Sequence, residues 1–347
     1  MKKQVKILSG IFGVIFLLIA VCGIALHNQI STIASVEKVT DGLYQLTYYG
    51  DYKLESMLEA DINTVEGLEE WLSDNLFFGY PISGNEYYYG CSAFLAESPD
   101  GDILMGRNYD YDKTETLILY TSPENGYASY ALSDLNMLGV GGENDVKGDD
   151  LFGKISMLAS PYTITEGMNE KGLGVAILEL ETEEIHQDNG KLDMLLFVAV
   201  RMILDKTANV DEAVAMLNEY DIHSFFGYPY HLFISDTTGK SVVVEWIDGQ
   251  LNVVEADYVT NFQLSAGEDY GYGIGQDRYE IIEKCFQKTR GILTAEESMR
   301  LLSDVQVPWN GEWDTEWSCV MNLTDFSIDV CIDQDYSNVY SFSIESF

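Results

Sequence analysis

The 347-residue chain is 46% hydrophobic, enough for one large domain or two modest ones with a substantial core. Its 57 acidic residues against 19 basic ones leave a net charge of −38. That excess repels phosphate backbones and anionic surfaces, which argues against nucleic-acid binding and otherwise speaks to solubility.

Lys2, Lys3 and Lys6 precede an uncharged, apolar run over residues 7–26. A helix of that length spans a bilayer, and the lysines before it keep the N-terminus inside. Gly23-Ile24-Ala25 also offers a small-residue cleavage site. A signal anchor and a cleaved signal peptide both stay open, and in either case the rest of the chain lies outside the cytoplasm. A short polar linker is expected at 27–35, and residues 39–54 alternate in the manner of a strand. Asn63 with Glu66 reads as a capping box for a helix running to residue 76. Residues 77–90 are rich in Gly, Tyr and Pro and read as a loop. Residues 27–90 thus form a small folded leader that ends at Gly90-Cys91.

Beyond Cys91 the pattern changes. Residues 92–97 and 103–108 are strand-like and joined by Ser98-Pro99-Asp100-Gly101, a good hairpin turn. Strands follow at 116–121, 127–132, 162–165 and 173–180, with a Gly/Asp loop at 141–153. Helices are expected at 191–205 and 209–220, the second opened by Asn209 and Glu212. Strands resume at 231–236, 241–246 and 251–255. Helices come at 278–288 and 294–303, the latter with Thr294 and Glu297 as its box. Strands at 318–323, 327–332 and 339–344 close the chain. Consecutive hairpins imply antiparallel sheets with helices on their outer faces. The expected class is α+β, a four-layer αββα sandwich of two antiparallel sheets preceded by the N-terminal apolar helix, with the main domain spanning residues 91–347.

There are five cysteines, at 22, 91, 285, 319 and 331. They are too few and too widely spaced for a disulfide framework or a zinc cluster. Cys319 and Cys331 lie on neighbouring strand-like runs, and either a cross-strand disulfide or two buried thiols fits. Cys91 stands out through its surroundings. If it opens the first strand and Gly106-Arg107-Asn108-Tyr109-Asp110 ends the second, the hairpin returns Arg107 and Asp110 to its side. Arg107 would favour a thiolate. If the bond before Cys91 is cut, a free α-amine titrating near about 7.7–8.0 sits beside the thiol, a nucleophile with a built-in base. An ordinary Arg–Asp pair at a hairpin end is the plainer reading.

The chain resembles the choloylglycine hydrolase family of linear amide C–N hydrolases, which includes bile-salt hydrolases and penicillin V acylases. The resemblance rests on Cys91-Ser92-Ala93-Phe94, Gly106-Arg107-Asn108-Tyr109-Asp110, Gly167-Met168-Asn169-Glu170-Lys171-Gly172-Leu173, Tyr230-His231-Leu232-Phe233-Ile234-Ser235-Asp236, Val259-Thr260-Asn261 and Asp277-Arg278-Tyr279, in the family's order. It implies an N-terminal-nucleophile hydrolase of αββα fold. Cys91 would be the nucleophile, with Arg107 and Asp110 as its positioning pair. Asn169 and Asn261 would serve the substrate carbonyl and the oxyanion, and Arg278 would be a second arginine of the site. It also implies a small N-acyl amide substrate with an apolar acyl group, and no metal or cofactor. Asn169 reads equally as a turn residue before Gly172, Asn261 as a strand end and Arg278 as a helix cap. His231 is expected to be structural. Two departures stand out: the long leader, and the short connection from Asn261 to Arg278. Gly90-Cys91 resembles the self-cleaving junction of the penicillin acyltransferase precursor.

An aromatic group, Tyr87 to Tyr89, Tyr109, Tyr111, Phe225, Phe226 and Tyr228, could bind the acyl chain or belong to the core. The rivals to hydrolysis are acyl transfer at the same residues and an uncleaved, non-catalytic surface protein.

Overall fold

The computed structural model describes residues 23–24, 26–77, 79, 90–142, 144–182, 184–225, 227–267 and 269–343. Residues 7–22 of the apolar run and 80–89 of the expected loop lie outside them. Among the described residues no helix is long and apolar enough to cross a membrane.

The chain begins with α1 (His27–Ser35), β1 (Glu37–Thr40), β2 (Leu43–Tyr48), α2 (Leu54–Leu58) and α3 (Val65–Leu76). The hairpin β3 (Gly90–Glu97) and β4 (Ile103–Tyr111) follows, then β5 (Thr116–Thr121) and β6 (Ser129–Asp134). The expected Gly/Asp loop runs into α4 (Leu151–Ser156). Next come β7 (Ile164–Asn169), β8 (Leu173–Glu179), β9 (Asp193–Leu195), α5 (Leu196–Lys206), α6 (Val210–Leu217) and β10 (Asp221–His223). The remainder is β11 (Tyr230–Asp236), β12 (Ser241–Ile247), β13 (Gln250–Glu255), β14 (Tyr258–Val259), α7 (Gln276–Thr289), α8 (Ala295–Asp304), β15 (Asp314–Asn322), β16 (Ser327–Ile332) and β17 (Tyr340–Phe342).

One sheet runs β1-β2-β5-β6-β7-β8-β11-β12-β13 and the other β14-β3-β4-β15-β16-β17. Leu43, Ile118, Ala176 and Phe233 of the first meet Ala93, Met105, Trp317 and Cys319 of the second in one apolar cluster. The outer face of the first sheet packs on α3, α5 and α6, and that of the second on α7 and α8. The four-layer αββα order is therefore present, and each sheet buries both faces, which is why β4, β8 and β11 are buried throughout. The larger sheet is not purely antiparallel, because β2 pairs with β5 in parallel.

The leader is part of this body. Its β1 and β2 extend the larger sheet, and Leu46, Leu68 and Leu72 share a core cluster with Leu119, Phe197 and Val200. Tyr52 Oη donates to Asp205 (2.5 Å), and Tyr162 Oη donates to the Tyr52 carbonyl (2.6 Å). The expected linker at 27–35 is instead α1. Thr32 Oγ1 accepts from Tyr49 N–H (2.9 Å) and Ser35 Oγ donates to the Thr47 carbonyl (2.9 Å), both partners supplied by the chain after β2 begins.

Helix caps fall close to expectation. Asn209 and Thr294 accept from Glu212 and Glu297 N–H, and Thr294–Glu297 is a complete box. At α3 the cap is Thr64, and Asn63 donates to Asp193 instead (2.7 Å). Cys319 and Cys331 are free. Cys319 pairs with Val330 and Cys331 with Ser318, so the two thiols point to opposite faces of the sheet and a bridge between them is excluded.

Glu316 opens a prediction about pH. Its carboxyl is buried on β15, accepts from Thr114 N–H (3.0 Å) and lies 3.7 Å from Lys113 Nζ. Burial, helped by a hydrogen bond with Asp314, pushes it up from 4.5 to about 9. A carboxyl raised on folding favours the native state fully below the unfolded value near 4.5, and that contribution is lost as pH climbs towards 9. Glu316→Gln keeps an acceptor for Thr114 without the charge. Its thermal midpoint should fall less than that of the wild type between pH 6 and 9. Parallel pH profiles for the two proteins would refute the assignment.

Candidate active site

The β3–β4 hairpin turns through Ser98–Gly101, where Gly101 adopts φ 93° and donates to the Ser98 carbonyl (2.9 Å). Its antiparallel register sets Gly90 opposite Asp110, Cys91 opposite Tyr109 and Ala93 opposite Arg107. Local pairing alone thus brings Cys91, Arg107 and Asp110 together. Cys91 and Arg107 face the space between the sheets, and Asp110 faces the other way.

Two side chains hold two backbone atoms of Cys91, and a third acts on its thiol. Its N–H donates to Asn261 Oδ1 (2.5 Å). Its carbonyl accepts from Arg278 Nη1 (3.0 Å). The Arg107 guanidinium is close enough for its charge to act on the thiol. Arg278 also donates to Ser92 Oγ (3.1 Å), to Asp110 Oδ2 (2.6 Å) and, through Nη2, to Asn261 Oδ1 (2.9 Å). Asn261 Nδ2 donates to the Glu179 carbonyl (2.8 Å). The second oxygen of Asp110 accepts from Thr315 Oγ1 (2.5 Å). Arg107 donates to the carbonyls of Asn108 and Ile177, the latter at 2.8 Å, and its Nε lies 3.4 Å from Glu166 Oε2. Trp317 Nε1 in turn donates to Glu166.

The cluster is dry. Arg107, Asp110 and Glu166 are fully buried, and Cys91 is 2% exposed. Burial pushes the Cys91 thiol up to about 11, against the pull of Arg107, so it is protonated at neutral pH in the uncut chain. Burial likewise raises Asp110, opposed by Arg278, Thr315 and Arg107, and raises Glu166, opposed by Arg107 and Trp317. Gly90 has no room for a side chain. A Cβ there would lie 2.8 Å from the Trp313 ring and 3.3 Å from Asp110 Oδ2.

Five of the six expected site residues meet here: Cys91, Arg107, Asp110, Asn261 and Arg278. Asn169 does not touch them. Its Nδ2 donates to the carbonyls of Leu204 (2.9 Å) and Thr207 (2.7 Å), and its Oδ1 accepts from Lys171 (3.0 Å) and Leu173 (3.2 Å) N–H. With Gly172 at φ 79° this is the turn that joins β7 to β8 and fastens it to α5. His231 is also elsewhere. Its Nδ1 lies 3.0 Å from Glu245, which accepts from Leu264 (2.8 Å) and Ser265 (2.6 Å) N–H and so secures the segment just after Asn261.

Of the aromatic group, Tyr87 to Tyr89 and Phe226 lie outside the described residues. Tyr109 stacks on Trp317 with ring centres 3.8 Å apart, Tyr111 lies in the same inter-sheet cluster, and Phe225 packs on Phe197. These are core positions. The sequence reading missed Glu166, Thr315 and Trp313. Glu166 and Thr315 sit on strands whose adjacency to β4 or Arg107 is set only by long-range pairing.

A layered αββα protein with a buried cysteine, two arginines, an aspartate and an asparagine in contact is the class that fold and cluster define. Residues 91–262 match the family model of the linear amide C–N hydrolases, choloylglycine hydrolase family. Over that segment the chain is similar to the choloylglycine hydrolase family. It is 29% identical over 180 residues to the bile salt hydrolase/transferase of Clostridium perfringens, covering 48% of this chain and 50% of that protein. It is 28% identical over 189 residues to the penicillin V acylase of Pectobacterium atrosepticum, covering 48% of this chain and 47% of the relative. The chain thus spans about half the length of the curated relatives it matches. Among solved structures, a mutant conjugated bile acid hydrolase from Clostridium perfringens shares the fold with a TM-score of 0.54 at 17% identity, over 74% of this chain and 93% of that one.

Proposed function

We propose that this protein is a cysteine amidohydrolase that cleaves the C–N bond of a linear N-acyl amide with an apolar acyl side, after the Gly90–Cys91 bond is cut. The observation that carries this reading is the holding of the Cys91 nitrogen and carbonyl by Asn261 and Arg278, with the Arg107 charge acting on the thiol. A structural cysteine needs no partner on its sulfur. An N-terminal nucleophile needs its amine, backbone and thiol fixed in one geometry.

In the uncut chain the Cys91 thiol attacks the Gly90 carbonyl. The C–N bond breaks as the C–S bond forms, and the nitrogen takes the thiol proton. Water then opens the thioester, leaving a Gly90 carboxylate, a free thiol and a free α-amine. The absence of a side chain at Gly90 suits the close approach this needs. In turnover the α-amine takes the thiol proton while sulfur attacks the substrate carbonyl. It returns that proton to the leaving amine, and water releases the acid. Arg107 favours thiolate character, and Asp110 holds Arg278, which orients the Cys91 backbone. Asn261 is the group within reach of the α-amine, and its amide is assigned to the reacting carbonyl.

The Clostridium perfringens relative is named a hydrolase/transferase, and an acceptor amine in place of water would use the same residues. Lys2, Lys3 and Lys6 before the apolar run support placing the catalytic part outside the cytoplasm, anchored or released. The test is intact mass and N-terminal sequencing of the full chain, with amine release from N-acyl amides. A new N-terminus at Cys91 is expected, with the leader fragment co-purifying because residues 36–77 share the core. A chain that stays whole and releases no amine on prolonged incubation would overturn the reading. Adding an acceptor amine separates transfer from hydrolysis.

A further inference from the structure

Away from the Cys91 cluster, the short parallel pair β9 and β10 gathers a second set of polar side chains. Asp193 is directly opposite Asp221, and His223 follows on the same face. His223 Nε2 lies 3.0 Å from Asp193 Oδ1 and 3.4 Å from Asp221 Oδ1. Among the described residues these form the group whose three ligand atoms all fall within 4.8 Å of one another. Asp221 is 3% exposed. Its Oδ2 accepts from Asn189 N–H (2.8 Å), but its Oδ1 makes no hydrogen bond and is directed into the group. One imidazole N–H cannot be aimed at two carboxylates at once, so a buried acceptor is left facing the centre.

We propose that Asp193, Asp221 and His223 bind one divalent cation of the zinc class. Three N and O ligands at bond lengths of about 2.0–2.2 Å in tetrahedral geometry lie roughly 3.3 Å from one another, close to the two spacings to His223. An imidazole among the ligands selects zinc-like ions over calcium or magnesium, which take oxygen. A cavity of about 390 Å³ opens on the His223 side of the group, lined also by His186 and Glu184. The cation would act as a clamp. Asp193 Oδ2 accepts from Asn63 Nδ2 (2.7 Å), Asp193 N–H donates to Asp61 (2.7 Å), and Ile62 bridges to Met194. Fixing Asp193 therefore fixes the stretch that enters α3 against the body.

The test uses the full chain, stripped with chelator, titrated with Zn²⁺ by calorimetry and with Co²⁺ by absorbance. One saturable equivalent is expected, with a raised thermal midpoint and a cobalt spectrum lacking a thiolate charge-transfer band. Asp221→Asn and His223→Gln should each weaken binding at least about tenfold, the loss that even an outer-shell change produces. No saturable binding, a thiolate band, or unchanged affinity in both variants would overturn the proposal. The wild-type cobalt spectrum decides without reliance on either variant folding.

Discussion

Cys91→Ala should leave the Gly90–Cys91 position uncut and lower amide turnover by about 10⁴–10⁶-fold, the scale of losing a covalent nucleophile. The loss should be chemical and not structural. Alanine removes only the sulfur; the backbone N–H still donates to Asn261 and the carbonyl still accepts from Arg278. Arg107 keeps the Ile177 carbonyl and its ion pair with Glu166. The variant should therefore unfold near the wild-type midpoint while showing one intact mass. If it were cut at the same bond, or released amine at the wild-type rate, Cys91 would be merely a small buried hydrophobe and the enzymatic assignment would fall.

What the sequence made legible is the part of the site built by neighbours along the chain. Ser98-Pro99-Asp100-Gly101 announces the hairpin, and hairpin register alone places Arg107 and Asp110 at Cys91. Capping residues such as Asn209 and Thr294 are local too. Asn261 and Arg278 came from motif order, and only the fold supplies their contact with Cys91. The same motif order included Asn169, whose local chemistry pointed elsewhere. An asparagine three residues before a glycine at positive φ is a turn-former, and its amide is spent on Lys171, Leu173, Leu204 and Thr207. Non-local pairing was illegible for a physical reason. That β2 lies parallel to β5, across the Cys91 hairpin, depends on burial that no short window contains. Residues 27–35 read as a linker because Thr32 and Ser35 of α1 also take partners at Thr47 and Tyr49, beyond any local window.

Arg278→Met should destabilise the fold by about 3–5 kcal/mol, the usual result of breaking a buried ion pair from one side. Arg278 connects Asp110, Asn261, Ser92 and the Cys91 carbonyl, and it is 6% exposed. Without it, among the described residues, Asp110 keeps only Thr315 as a side-chain hydrogen-bond donor and remains fully buried. Methionine fills much of the volume, so the loss reports the uncompensated carboxylate more than a cavity. Two consequences follow from that cause. Asp110→Asn in the Arg278→Met background should recover part of the loss, a coupling that a double-mutant cycle in urea measures. The deficit should also shrink as pH falls. Burial already raises Asp110, and with Arg278 gone its folded-state value rises further above the unfolded one. The variant's added penalty is then absent at low pH and grows as pH climbs through that raised value. Activity should fall as well, even where the variant is fully folded, because the backbone that carries the thiol loses the donor that orients it. A deficit below about 1 kcal/mol with no pH dependence would place Arg278 among the many ion pairs that contribute little, and would remove it from the positioning role.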